Sequence, residues 1–230
     1  MITAVETVPI HRADDPRIAD YVDLSDPDLR RRVEEHGQEA HDPHATATGL
    51  SNNKVAMWAF LGSDCLLFGA LISAYLLYRG RSLNGPYPED VYDIPFTSVS
   101  SFVLLMSSLT MVLALAAIQR GDTARNRVWL LATALLGATF VAGQVYEFTT
   151  FYREGLGFTT NLQSSAFYVL TGFHGVHVTI GILILGSLFV LSLRGKLPPE
   201  RSETVEIAGL YWHFVDVVWV IIFTLVYLIR

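Results

Sequence analysis

Two stretches of this chain set histidine and aspartate among apolar neighbours: TGFHGVH, from Thr171 to His177, and YWHFVDVVW, from Tyr211 to Trp219. Asp64 closes a similar stretch, MWAFLGSD, and Glu147 lies in GQVYEF. His174 with His177, and His213 with Asp216, are spaced i, i+3, which puts each pair on one face of a helix. Imidazole and carboxyl groups so placed can pass a proton, hold a metal, meet a lipid head group or a quinone, or tie helices together by hydrogen bonds. Each site lies in an apolar run long enough to cross a bilayer, where a charge at the centre costs roughly 2.5–3.5 kcal/mol on insertion scales. Such side chains must face a protein interior or a polar cavity.

The elements that position them are helices. Five segments reach the length of about 20 residues needed to span a hydrocarbon core: 55–78, 97–118, 128–151, 166–193 and 206–229. They are too long and too uninterrupted for strands, and only a helix bundle satisfies their backbone in lipid. The links between them carry Gly and Pro. The expected fold is all-α: a polytopic five-helix membrane bundle over residues 54–230, preceded by a polar tail over 1–53. Hydrophobic residues make up 51% of the chain and charged ones 17%, which sets it apart from soluble domains of this size. The net charge of −6 suggests no nucleic-acid surface. A single cysteine, Cys65, allows neither an internal disulfide nor a cysteine metal cage. The start of the chain lacks the apolar core of a cleavable signal.

Basic residues near the helix ends give an orientation. Lys54, Arg120, Arg125, Arg127, Arg194, Lys196 and Arg201 collect on one side, against Arg79, Arg81, Arg153 and Arg230 on the other, seven against four. The excess predicts a cytoplasmic N-terminus and a C-terminus outside. In the tail, Ser25 can cap a short helix running to Glu39, and His36, His41 and His44 follow; histidines on such a segment are more often solvated than metal-bound.

Rise per residue sets depth. Asp64 is about 13 Å from the cytoplasmic end of its span, and His213 and Asp216 are about 10 and 15 Å from the same end of theirs. His177 arrives near the same level, so these four residues are expected to meet in one layer. The residues by themselves favour structural ties for His174 and His213 and leave Asp64 open, since a carboxyl among apolar groups also suits proton movement. Glu147, near the outer end of the third span, is expected to reach interfacial water. Small residues in the first two spans (Gly62, Gly69, Ser73; Ser101, Ser107, Ser108) are read as packing positions only.

At these residues the chain resembles subunit III of the haem–copper respiratory oxidases, on TGFHGVHVTIG, YWHFVDVVW, GQVYEF and MWAFLGSD, over about residues 54–230. The resemblance implies a subunit of a proton-translocating cytochrome c oxidase that carries no cofactor itself, haem and copper lying in subunits I and II. It implies support of proton uptake into subunit I, protection against turnover-linked inactivation, and bound phospholipid. Cytochrome c or a similar donor would act only through the complex, in the cell's inner (plasma) membrane. The family's carboxylate, usually Glu in a Ser-Glu pair, falls on Asp64, one methylene shorter. Lipid contact would map to His177 and Arg194. Longer members have seven helices with a lipid cleft after the first two, so here another subunit must line that cleft or it opens to bulk lipid. A homologous subunit of a quinol oxidase or of a nitric-oxide-reductase complex is the nearer alternative, and a stand-alone proton-coupled transporter the distant one.

Overall fold

The computed structural model describes residues 51–81 and 85–229. The expected helix from Ser25 to Glu39 and the histidines at 36, 41 and 44 lie outside them. Helix α1 spans Asn52–Tyr78, a short α2 spans Pro88–Val91, and α3 spans Ile94–Gln119. Helices α4 (Thr123–Arg153), α5 (Leu162–Leu193) and α6 (Ser202–Phe223) follow, the last entered by a 3₁₀ turn at Pro199–Arg201 and prolonged by a π-helical turn at Thr224–Leu228. Five of these helices are long and apolar enough to cross a membrane, and no strand occurs among the described residues.

The helices outrun the expected spans because their ends are set by polar caps beyond the apolar runs. Asp93 accepts a hydrogen bond from the Phe96 amide (3.1 Å), Asp122 from Arg125 (2.9 Å) and Asn161 from Ser164 (2.7 Å), each at a helix start. At the C-termini of α3 and α5, Gly121 and Gly195 take φ of 79° and 69°. The amides after them turn back, Asp122 to the Ala117 carbonyl (3.0 Å) and Lys196 to Leu191 (2.9 Å), so orphan carbonyls are satisfied.

Helices α3, α4, α5 and α6 pack as a closed ring, each against its two neighbours, with α3 also against α6. Two indoles fill its centre. Trp212 Nε1–H donates to Ser107 Oγ and Trp219 Nε1–H to Ser101 Oγ, both at 2.9 Å. Trp212 lies in notches left by Gly137 and Gly181, where a Cβ would come within 2.5 and 2.7 Å of its ring. The serines of α3 are thus hydrogen-bond acceptors as well as small residues. Helix α1 is the least buried of the five. It runs beside α6, tied at one end by Lys54 to Glu206 (2.9 Å) and at the other by Arg79 to the carbonyls of Leu225 and Ile229.

Candidate functional site

Where α1 meets α5 and α6, Asp64 faces His177, with Oδ2 3.6 Å from Nε2. Both side chains are nearly buried, 10% and 12% exposed. The other imidazole nitrogen, Nδ1, lies 2.7 Å from the Phe173 carbonyl, one turn back in α5, and must donate there. Nε2 faces Asp64 Oδ2 at 3.6 Å, beyond hydrogen-bond length, and that oxygen has no hydrogen-bond partner among the described residues. Phe68 lies edge-on to the His177 ring (centroids 5.0 Å), Phe60 lies against Tyr211 (6.3 Å), and the Tyr211 hydroxyl donates to the His177 carbonyl (3.0 Å). Three helices therefore close around this pair.

His174 is turned one face further inward. It is fully buried between Trp219 (4.8 Å) and Phe140 (5.9 Å), and its Nε2–H donates to the Val215 carbonyl at 3.3 Å. Nδ1 has no hydrogen-bond partner among the described residues. This is a core histidine joining α5 to α6.

The expected single layer of four residues divides in two. His213 and Asp216 face α3, where His213 Nδ1 is 2.6 Å from Ser108 Oγ. A depth counted along the chain carries no information on the angle around a helix. Asp216 is buried, and Ser108 is the side chain that meets its carboxyl.

Glu147 differs from its expected place at interfacial water. Only 6% exposed, it accepts a hydrogen bond from Thr97 Oγ1 (2.7 Å), with Tyr227 against the same carboxyl. The Tyr227 ring stacks near Tyr92 (4.4 Å), whose hydroxyl lies 3.5 Å from that of Tyr75. Thr97 of α3 and Tyr227 at the end of the last span thus meet on the carboxyl of α4. Nothing local in the sequence marks Thr97 or Tyr227 as its partners, because they are 50 or more positions away.

The two residues expected to contact lipid, His177 and Arg194, lie far apart. They are separated on a continuous helix by about 25 Å, with His177 turned onto Asp64 and Arg194 exposed at the helix end. Among the described residues no three His, Cys, Asp or Glu side chains converge as a metal site requires.

The sequence comparisons bear on what this arrangement serves. The family model described as cytochrome c oxidase subunit III matches residues 31–229, starting well before the first span and inside the polar tail. Cytochrome c oxidase subunit 3 of Bacillus sp. strain PS3 is 39% identical over 187 residues, covering 81% of this chain and 90% of that one. Quinol oxidase subunit 3 of Bacillus subtilis strain 168 is likewise 39% identical, over 196 residues covering 84% and 95%. Cytochrome c oxidase subunit 3 of Synechocystis sp. strain PCC 6803 is 44% identical over 176 residues, covering 74% and 72%. With its bundle, its intramembrane carboxyl and imidazole groups, and a match from residue 31 to 229, the chain belongs to the cytochrome c oxidase subunit III family, the third subunits of haem–copper oxidases.

Proposed function

We propose that this chain is a non-redox subunit of a proton-translocating terminal oxidase, sustaining a catalytic core whose haem and copper are held by subunits I and II. The observation that carries this reading is that each intramembrane imidazole is held by a hydrogen bond within the chain: His177 to the Phe173 carbonyl, His174 to that of Val215, and His213 to Ser108. Groups engaged in this way bind helices together and can hold a proton. The subunit acts by supporting proton uptake into subunit I and by limiting inactivation during turnover. Phospholipid phosphate is met at the exposed helix end by Arg194. The chain lies in the plasma membrane with its N-terminus in the cytoplasm, since the basic residues near the helix ends favour that side seven to four.

Cytochrome c, or a similar small redox protein, delivers electrons through the complex rather than to this chain. A second reading has a specific support: the Bacillus subtilis quinol oxidase subunit 3 is as similar as the Bacillus sp. strain PS3 cytochrome c oxidase subunit 3. Mass spectrometry of the intact complex, with metal analysis of the copurified subunit II, tests both. A dinuclear copper centre supports the cytochrome c reading and its absence the quinol reading. Purification of this chain without any haem-bearing partner overturns both.

A further inference from the structure

The groove between α3 and α6 holds polar groups that the chain leaves incomplete. Leu105, Ser108 and Val112 share one stripe of α3, and His213, Asp216 and Val220 share one stripe of α6, each spaced i, i+3, i+7. Leu105, Val112 and Val220 are 41%, 51% and 43% exposed, and His213 is partly exposed between them. Asp216 below is 3% exposed, with Ser108 the side chain that meets its carboxyl.

The hydrogen bonds available here form a chain with an open end. If a donor from outside serves His213 Nε2, then Nδ1–H donates to Ser108 Oγ, 2.6 Å away, and the serine proton is free to turn to Asp216. Reversing every bond, with the carboxyl carrying the proton, calls for an acceptor at the same place. In either sense the chain ends on Nε2, and hydrocarbon can neither donate nor accept. Leaving such groups unserved in a bilayer is costly. Lipid tails are therefore the wrong cover for this face.

We infer that the α3/α6 groove carrying Ser108, His213 and Asp216 is a helix-docking surface, covered in the assembled complex by a transmembrane helix of another subunit that presents a polar side chain to His213. The inference rests on the reading of the chain as an oxidase subunit. It names the face used and the chemistry that face requires. The small Ser108 and the flanking aliphatic side chains allow a neighbouring helix to approach closely while its polar group reaches the imidazole.

The test uses the assembled complex in native membranes. The photoreactive residue p-benzoyl-phenylalanine replaces Leu105 or Val220, and the adducts formed on illumination are identified by mass spectrometry. Expected is a polypeptide adduct at both positions, to a subunit other than this chain, on a peptide containing a polar side chain. In the Leu105 background, His213→Phe lowers the adduct yield about threefold or more, while His213→Gln keeps it, since Gln supplies both a donor and an acceptor. Adducts to lipid alone, adducts between two copies of this chain, or a yield unchanged by His213→Phe overturn the proposal. Copurified haem separates the two ideas. Lipid-only adducts in a haem-containing complex sink the docking surface alone, whereas a chain recovered without haem-bearing partners sinks the surface and the oxidase reading together.

Discussion

Asp64 and His177 face each other at 3.6 Å in a nearly closed site, which makes the nature of a substitution decisive. In Asp64→Asn the new amide can still donate to His177 Nε2, so the tie between α1 and α5 survives. In Asp64→Ala the imidazole nitrogen is stranded in a nearly closed site, a loss of about 1–3 kcal/mol for a buried group left unpaired. Asp64→Asn is therefore expected to keep the subunit in the detergent-purified complex and to preserve most of the initial oxidase rate, and Asp64→Ala to release it. Subunit stoichiometry by gel or mass spectrometry, read beside the initial rate, checks this. A large early rate loss in Asp64→Asn with full subunit retention would show that the residue moves protons in turnover. At this scale, counting residues from the helix ends foresaw that Asp64 and His177 lie level. It could not foresee that His213 and Asp216 turn to α3, nor that Thr97 and Tyr227 enclose Glu147, because both depend on how helices distant in sequence rotate against each other.

The helices themselves were legible because a bilayer leaves few other choices for apolar runs of this length. Their ends were less so. Asp93, Asp122 and Asn161 cap α3, α4 and α5 outside the apolar stretches, and the helices begin there rather than at the first lipid-facing residue. The packing partners were hidden altogether. Gly137 and Gly181 read as ordinary small residues, yet they accept the Trp212 ring, which no neighbour in sequence announces. Gly181→Ala and Gly137→Ala should each destabilise the bundle by about 1–3 kcal/mol, the usual cost of an added methyl in a filled core. Gly62→Ala and Gly69→Ala, where a Cβ meets nothing within 4 Å, should leave it unchanged. Thermal inactivation midpoints of the four variants in one detergent decide the matter, and equal midpoints would mean that the indole moves aside freely. Trp219→Phe removes the bond to Ser101 while keeping an aromatic ring beside His174, so a smaller loss, about 0.6–2 kcal/mol, is expected in the same assay.

As a whole, the described chain is a closed ring of four helices with a fifth laid along its side. The ring is held by buried indoles and aromatic packing, whereas α1 depends on a few discrete ties: Lys54 to Glu206, Asp64 to His177, Phe60 to Tyr211, and Arg79 to the end of the last span. An element attached in this way can loosen while the rest stays folded, since local stability follows the density of buried contacts. If the subunit sustains the catalytic core, loosening α1 should cost endurance before it costs rate. Deleting the whole chain is expected to leave much of the initial oxidase rate and to shorten, several-fold, the number of turnovers completed before inactivation. Lys54→Ala combined with Asp64→Ala cuts two of the ties and leaves the ring's core contacts in place, so it should give part of that shortening wherever the subunit is still bound in the membrane. Initial rate and total turnovers, measured separately on native membranes for the deletion, the double variant and the unaltered chain, separate the effects. Equal total turnovers in all three would remove the protective role, and an initial rate that falls in step with lifetime would place the subunit in the chemistry of each cycle instead.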